Sequence, residues 1–456
     1  MTLRGKRPQM SGRPEPAGKA KGEARSETRG VEEPMAENRT ERSATRDLLE
    51  RVLERSNLQE ALKRVKKNKG SPGIDGMTVG QLPGHLKAHW TEIREQILTN
   101  KYQPSMVRRH EIPKSGGGVR QLGIPTVLDR MIQQALLQVM QPIFDPSFSP
   151  SSYGFRPGRS ALDAVKASKQ YVEQGRRYVV DVDLSKFFDR VNHDILMGRL
   201  AKRIEDKRVL TLIRRYLEAG MMAGGVVIER REGTPQGGPL SPLLANILLD
   251  EVDKELEKRG HAFARYADDC NVYVRSRRAG GRVMTLLRKL FAKLRLVVNE
   301  EKSAVDRVWY RDFLGYGLWW NRHGKVQHRV SRKALQAFKT RVRETTSRTR
   351  GRSMSHVAEE LRSYLLGWKG YFQLSQTRLV FRELDKWIRH RLRAYQLHLW
   401  RRGPVIHREL LARGAAPDVA AKVAANSRRW WRNAQYVANI AFPNRYFIEL
   451  GIPQLE

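Results

Sequence analysis

The sequence predicts an α+β fold whose last third is helical. In residues 45–317 helical and strand patterns alternate irregularly, which favours an α+β arrangement over a regular array of β-α-β units. After residue 320 apolar residues recur mainly at helical spacing. With 456 residues and 40% hydrophobic content, the chain is long enough for two or three domains that have their own cores.

The first element is a tail that the sequence predicts to be disordered, residues 1–44. Residues 1–42 contain no aromatic residue and are rich in Gly, Pro, Ser, Arg and Glu, so they bury too little apolar surface to offset the entropy of ordering. The tail lacks an apolar signal core, and its Glu residues argue against a transit peptide. No apolar run approaches the roughly 20 residues of a membrane helix. We expect a cytoplasmic protein with no membrane partner.

The charge of the chain points to a polyanionic partner. Lys and Arg total 86 against 48 acids, which gives a formal net charge of +38. A solvated surface ordinarily mixes both signs, so this excess favours nucleic acid, the commonest polyanion. Cys270 is the sole cysteine, which excludes an internal disulfide and a zinc site built from several thiolates.

A helical pattern begins at Thr45 and ends near the turn-rich "KGSPGIDG" of residues 69–76. Further along, "RYADDCNVYV" (265–274) has the Tyr and Val residues of a strand but carries two poor strand formers, Asp268 and Asp269. A buried carboxylate is costly unless it is paired or holds a metal ion. An Asp-containing turn at the tip of a hairpin is the alternative interpretation.

A second strand pattern with acids weakens that alternative. In "YVVDVDLSKFFDRV" (178–191) the alternation of a strand places Asp181 and Asp183 on one face and Val180 and Val182 on the other. Two such strands would bring carboxylates together into an oxygen-lined site, which suits Mg²⁺. Paired Mg²⁺ ions stabilise the attacking and leaving oxygens of phosphoryl transfer. With so basic a chain, the predicted chemistry is nucleotidyl transfer on a nucleic acid.

The last third combines basic and aromatic residues on predicted helices. Residues 305–456 hold 30 Lys and Arg against 11 acids, and eight of the nine Trp follow residue 308. One predicted helix buries the stripe Val357, Leu361, Tyr364, Leu365, Trp368 and Phe372. The next buries the stripe Leu384, Trp387, Ile388, Leu392, Tyr395 and Leu399. Its opposite face carries a basic row, which is either solvated or bound to RNA or DNA; the interleaved aromatics favour binding. The predicted RNA-binding residues of this row are Arg382, Lys386, Arg389 and Arg393.

Taken in order, these motifs resemble a reverse transcriptase and, more narrowly, a bacterial group II intron-encoded reverse transcriptase and maturase. The resemblance covers residues 45–456. It is carried by "GSPGIDG" (70–76), "IPKSGGGVRQLGIPTVLDRMIQQAL" (112–136), "SSYGFRPGRSALDAV" (151–165), "DVDLSKFFD" (181–189), "GTPQGGPLSPLLANILL" (233–249), "YADD" (266–269), "VVNEEKS" (297–303) and "FLGYGL" (313–318).

The resemblance implies a right-hand polymerase with fingers and palm in residues 45–320. A helical thumb or maturase domain would occupy residues 321–402, and a small basic, DNA-binding-like region residues 403–456. Many relatives continue into a metal-bound endonuclease with paired cysteines. Because this sequence ends at Glu456 with a single Cys, we expect no cleavage of the second target strand by the chain itself.

The resemblance also implies roles for individual residues. The catalytic, metal-holding acids would be Asp183, Asp268 and Asp269, with two Mg²⁺ ions; whether Asp181 assists them stays open. The implied nucleotide-binding residues are Lys114 and Arg120 on the triphosphate, Phe188 as a steric gate against a 2′-hydroxyl, Gln236 and Gly237 beside nucleotide and template, and Lys302 as a proton donor to pyrophosphate. Arg156 and Arg159 either contact template phosphate or brace the fingers.

The implied function is RNA-directed DNA synthesis together with binding of the parent group II intron RNA, which promotes splicing and retrohoming. The implied partners are that RNA, an RNA template with a DNA primer, target DNA and deoxynucleoside triphosphates. Three alternatives remain: a non-mobile reverse transcriptase recruited to defence or repair, a splicing-only RNA-binding maturase, and an RNA-dependent RNA polymerase. The acids argue against the second and Phe188 against the third.

Overall fold

The computed structural model describes residues 45–113, 119–223, 226–228, 232–234, 237–437 and 440–456. The predicted tail 1–44, Lys114 and Gln236 lie outside the described residues. In the first part of the described chain the helices are α1 (Leu48–Val52), α2 (Arg55–Asn68), α3 (Leu82–Leu98), α4 (Val127–Phe144), α5 (Ala161–Glu173), α6 (His193–Leu200), α7 (Lys207–Glu218), α8 (Ser241–Lys258) and α9 (Arg277–Lys293). They are followed by α10 (Arg332–Thr345), α11 (Met354–Tyr371), α12 (Arg378–Trp400), α13 (Gly403–Leu411), α14 (Pro417–Ala425), α15 (Trp430–Tyr436) and α16 (Asn444–Glu449).

Within the described residues the strands form three sheets, two of which take the names of the regions that the resemblance implies, fingers and palm. The fingers sheet has the order β2-β1-β4-β5, built from β1 (Val107–Pro113), β2 (Val119–Ile124), β4 (Met221–Ala223) and β5 (Val226–Ile228). The palm sheet has the order β6-β7-β3-β8, built from β3 (Tyr178–Val182), β6 (Ala262–Tyr266), β7 (Asp269–Val274) and β8 (Ala304–Arg307). The third sheet has the order β11-β10-β9, built from β9 (Asp312–Phe313), β10 (Tyr316–Trp320) and β11 (Val326–Val330).

The palm sheet is buried on both faces, which explains its apolar strands. Val180, Val272 and Val274 point into a core shared with α8 and α9. Val179 and Tyr273, on the opposite face, belong to a second core that continues into the C-terminal helices. Period-two alternation therefore sends each strand's side chains into two different cores.

Several helices begin at a side-chain cap, and α9 packs closely where it carries a glycine. Ser160 and Asp163 form a capping box at the start of α5. The side chain of Ser276 caps α9 by accepting a hydrogen bond from Ala279 N. On α9, a Cβ at Gly280 would lie 2.3 Å from Val305 Cγ1, so this glycine lets the helix lie flush on the palm sheet.

The C-terminal helices share one core. The stripe that the sequence predicts for α11 is buried, with Val357, Leu361 and Leu365 fully enclosed, and the stripe of α12 packs beside it. Phe442 and Phe447 belong to the same core. The predicted thumb and the predicted C-terminal region are thus packed together. No helix in the described residues is long and apolar enough to cross a membrane.

The structure corrects the predicted face of Arg393. This side chain is 8% exposed and donates from Nε and Nη2 to the carbonyl oxygen of Phe442. Its guanidinium also lies 5.3 Å from the ring centroid of Phe447. Helical spacing places Arg393 in the basic row, but the segment after α15 covers that position. Arg393 therefore joins two parts of the protein and does not face solvent.

Candidate active site

The paired acids lie at the tip of the β6–β7 hairpin. β6 ends at Tyr266, Ala267 and Asp268 form the turn, and β7 begins at Asp269. Ala267 adopts a φ of 58°, a left-handed conformation that lets two residues reverse the chain. The sequence indicates both a hairpin turn and a cluster of acids here, and the structure shows the two together.

The register of β3 on β7 brings the second acid pair to the same edge. Asp181 lies opposite Asn271 and Val182 opposite Cys270, so continuing the register places Asp183 opposite Asp269. Cross-strand partners share a face of an antiparallel sheet. The carboxylates of the two acid-bearing strands therefore gather on the face that also carries Val179.

Burial and the neighbouring carboxylates change the pKa values of the acids. Burial, together with the nearby carboxylates of Asp181, Asp268 and Asp183, raises the pKa of Asp269 to about 8. Burial also raises the pKa of Asp181, against the opposing effect of Arg311. Like charges this close favour protonation or a bound cation. The site is thus an anionic cluster in a partly desolvated place.

Two cations contact the cluster. Arg311 Nη2 lies 2.6 Å from Asp181 Oδ2 and also donates to the carbonyl oxygen of Lys302. Lys302 Nζ lies 3.7 Å from Asp183 Oδ2. The sequence does not mark Arg311, which is 130 residues from its partner and lies outside the quoted motifs. It does mark Lys302, which the structure places beside the acids.

The donor set fits Mg²⁺ in chemistry. The four carboxylates supply hard oxygen donors, and their mutual repulsion would be relieved by a divalent cation. Within the described residues, no three His, Cys, Asp or Glu side chains are arranged closely enough to hold a metal ion by themselves. Magnesium sites in proteins keep several waters and often use substrate phosphates as ligands, so few protein ligands suffice.

A buried arginine is hydrogen-bonded to the backbone of the turn. Arg265 is 2% exposed, and its Nε donates to Asp253 Oδ1 at 2.8 Å. Its Nη1 donates to Asn246 Oδ1 at 3.0 Å and to the carbonyl oxygen of Ala267 at 2.9 Å. The last bond fixes the backbone of the acid-bearing turn. Arg265 stands in the quoted strand segment, but strand alternation alone did not identify its role.

The segment 151–154 supports the same turn. Tyr153 N donates to the carbonyl oxygen of Arg265 at 2.9 Å, and Arg265 N donates to that of Ser151 at 2.9 Å. Gly154 approaches so closely that a Cβ there would lie 2.3 Å from Ala267 N. This contact explains the glycine of "SSYGF" and its place in the ordered motif set.

The predicted steric gate lines a cleft. Phe188 lies in a short 3₁₀ turn, Phe187–Arg190, and its carbonyl oxygen accepts a hydrogen bond from Thr234 N at 2.7 Å. The cleft, about 420 Å³, is also lined by Gly237, Arg130 and Gln134. At Gly237 the φ is 134°, and a Cβ would lie 2.7 Å from the carbonyl oxygen of Gly123. Arg130 and Gln134 were missed from the sequence.

The remaining predicted nucleotide contacts stay predictions. Lys114 and Gln236 lie outside the described residues, and Arg120 is described only through its backbone, which pairs with Ile112 between β1 and β2. Arg156 is a brace: its Nε donates to Asp145 Oδ1 at 2.8 Å and its Nη1 to the carbonyl oxygen of Ser152.

On α12 the predicted basic row is partly paired. Arg382 Nη2 lies 2.8 Å from Glu456 Oε1, and Lys386 Nζ lies 2.8 Å from Glu383 Oε1. Arg389 is partly exposed. Because Arg393 is buried, the row has fewer unpaired, solvent-exposed charges than its spacing predicts.

Two family models match the chain, one after the other. Residues 112–318 match the model described as "Reverse transcriptase (RNA-dependent DNA polymerase)". Residues 335–414 match "Group II intron, maturase-specific domain". The first match contains all four palm acids, and the second contains α11, α12 and most of α10.

Two curated relatives are each similar to less than half of this chain. "Protein YkfC" of Escherichia coli is 41% identical over 208 residues, which cover 44% of this chain and 55% of that protein. "Group II intron-encoded protein LtrA" of Lactococcus lactis is 36% identical over 195 residues, which cover 42% of this chain and 32% of LtrA. The chain thus matches about half of one relative's length and a third of the other's. Among solved structures, a chain of the "Partial Cas6-RT-Cas1--Cas2 complex" is 25% identical with a TM-score of 0.36, covering 54% of this chain and 42% of that one.

Proposed function

We propose that the chain copies RNA into DNA and binds its parent intron RNA to promote splicing and retrohoming, because a reverse transcriptase model and a group II intron maturase-specific model match it one after the other. The substrates would be deoxynucleoside triphosphates on an RNA template with a DNA primer, and target DNA would be the site of insertion. A cytoplasmic location is part of the same proposal. The gathering of four carboxylates at the β6–β7 turn carries the polymerase half.

The palm residues would have separate roles in nucleotide addition. Asp183, Asp268 and Asp269 would hold two Mg²⁺ ions, which stabilise charge on the attacking and leaving oxygens. Lys302, beside Asp183, would give a proton to the departing pyrophosphate. Arg311 neutralises Asp181, so that acid is a weaker candidate ligand than the other three.

The cleft residues would select and place the nucleotide. Phe188 and Gly237 line one cleft, which supports placing the sugar against the Phe188 ring and the base or template near the glycine. Lys114 and Arg120 would bind the triphosphate, since an ammonium and a planar guanidinium both suit phosphate oxygens. Arg130, in the same cleft, is a further candidate for a phosphate contact.

Asp268→Asn tests the polymerase half. A neutral amide holds Mg²⁺ far less well than a carboxylate, so we expect primer extension on an RNA template to fall by at least about 100-fold. Asp47→Asn is the matched control, because Asp47 is exposed at the start of α1 and makes no capping hydrogen bond. Undiminished extension by the Asp268 variant would refute the assignment.

Sequencing the RNA that copurifies with the chain tests the maturase half. We expect one intron RNA to be enriched, because the maturase-specific match implies a cognate structured RNA. Recovery of RNA in proportion to its cellular abundance would instead favour a reverse transcriptase that serves defence or repair.

A further inference from the structure

Three arginines converge on two indole rings at one side of the C-terminal helices. Arg343 lies near the end of α10, Arg348 in the 3₁₀ turn that follows, and Arg391 on α12. The Arg343 and Arg391 guanidinium carbons lie 5.6 Å and 5.4 Å from the ring centroid of Trp387. That of Arg348 lies 5.0 Å from the centroid of Trp430. We name Arg343, Arg348 and Arg391 the arginine triad.

No carboxylate neutralises the triad within the residues that the structure describes. Arg391 instead donates from Nε to Thr346 Oγ1 at 2.8 Å. The acids nearest in sequence are engaged elsewhere: Glu344 pairs with Arg341, and Asp385 accepts a hydrogen bond from Leu455 N. Glu360 pairs with Arg341 and Arg352. Burial lowers the pKa of Arg391, and the positive charges of Arg343 and Arg348 lower it further. Among the described residues, the triad is therefore a concentration of positive charge with no carboxylate partner.

The triad is held in place before any ligand arrives. His398 Nε2 donates to the carbonyl oxygen of Arg348 at 3.0 Å, which ties the 3₁₀ turn to α12. The three guanidinium groups lie over the indole faces, and the side chains of Arg343 and Arg348 are exposed, so their N–H groups can reach a ligand. Planar guanidinium edges match phosphate oxygens in pairs, and a preorganised fork loses little entropy on binding.

We propose that the arginine triad is a binding site for the phosphodiester backbone of RNA. The inference rests on the RNA binding proposed above and assigns it to a surface other than the basic row of α12. All three arginines fall inside the maturase-specific match, 335–414, which favours RNA over DNA as the occupant. The basic row is the weaker candidate, because Arg382 and Lys386 are paired with carboxylates and Arg393 is buried.

The test compares two triple variants that lose the same charge. One carries Arg343→Gln, Arg348→Gln and Arg391→Gln, and the control carries Arg382→Gln, Lys386→Gln and Arg389→Gln. The probes are the RNA that copurifies with the wild-type chain and a DNA duplex of equal length, each titrated over a range of salt concentrations. Primer extension on a short primed template reports the folding of both variants, since the palm is untouched.

We expect the triad variant to bind the RNA roughly tenfold or more weakly at physiological salt. Its plot of log affinity against log salt should be flatter by about 2, the value for three lost phosphate contacts. The salt slope of the control variant should change by less than the value for one phosphate contact. Replacing the triad by lysines should recover most of the salt slope, because the charge returns, while the affinity recovers only in part.

Three outcomes would overturn the site. If the two variants bind RNA with equal affinity and equal salt dependence while the wild type still binds it, the triad site is refuted and the proposed intron binding is not. If the triad variant loses as much affinity for the DNA duplex as for the RNA, the surface is not specific for RNA. If no RNA copurifies with the wild-type chain, the triad is refuted together with the proposed intron binding.

Discussion

Arg265 combines the deepest burial of charge in the palm with a direct bond to the acid-bearing turn. Its pair with Asp253 is enclosed, at 2% and 0% exposure of the two side chains, and Asn246, Ser152 and Ala267 take its remaining donors. A buried pair need not stabilise a fold relative to apolar residues, but losing one partner is costly. The bond to Ala267 indicates a positioning role for the metal-binding acids.

Arg265→Lys retains the charge but cannot make all four contacts. We expect the free energy of unfolding to fall by about 2–4 kcal/mol, because buried acceptors lose their donors. We also expect primer extension to require several-fold more Mg²⁺, because the turn is less well fixed. Denaturant unfolding and a Mg²⁺ titration measure the two effects.

Arg393→Lys is the matched control for Arg265. It also weakens a buried arginine, but in the second core. It should lower stability and leave the Mg²⁺ requirement unchanged. If both variants show the wild-type Mg²⁺ requirement, Arg265 contributes to the core alone.

Phe188→Ala should relax the choice of sugar. Removing the ring opens space in the cleft, and a hydroxyl alone gives little binding discrimination in a loose pocket, so exclusion must be steric. We expect ribonucleotide incorporation to rise by about tenfold or more relative to deoxyribonucleotide incorporation. Phe155→Ala, which enlarges the same cleft elsewhere, is the control. An unchanged ratio in the Phe188 variant would make that ring a packing residue.

At the scale of elements, the palm turn depends on a neighbouring extended segment. Gly154 is the point of closest approach, so Gly154→Ala should push the Ala267 backbone away and displace the acids. We expect primer extension to drop by about tenfold or more while the chain stays folded. Gly198→Ala, in α6, meets nothing within 4 Å and should be neutral or slightly stabilising. Equal activity of the two variants would contradict the proposed support.

The sequence predicts local elements well and their partners poorly. The alternation of β3 and the stripes of α11 and α12 are periodic signals, so their buried faces follow from spacing. Arg311 and Arg265 act through partners on other elements, and nothing in their own segments marks those contacts. Arg393 shows the converse: its helical position suggests solvent, but a segment almost 50 residues later covers it. The residue roles implied by family resemblance remain predictions.

At the scale of the whole molecule, the two proposed activities use separate regions. The acids lie in the palm, whereas half of the positive surplus lies in residues 305–456. Changing Asp268 and Asp269 together to Asn should abolish DNA synthesis and leave splicing of the cognate intron at low Mg²⁺ largely intact. The variant should fold, because neutral amides relieve the burial cost and the repulsion that together raise the pKa of Asp269 to about 8.

Splicing assays and primer extension on the same preparations measure this separation. A variant that folds but loses splicing in proportion to synthesis would refute independent maturase activity. The arginine-triad variant provides the reciprocal comparison, since it should keep extension of a short primed template and splice poorly.

The second core crosses the boundary between the two family matches. Val179, Ala264 and Tyr273 come from the palm sheet, and Leu361 and Leu392 come from the C-terminal helices, yet all belong to one apolar cluster. Detaching the helices would expose a face of the sheet that carries the acids. We therefore expect calorimetry to show one cooperative melting transition for both regions, with no separately melting C-terminal half. The two regions, although they match separate family models, would then unfold as one cooperative unit.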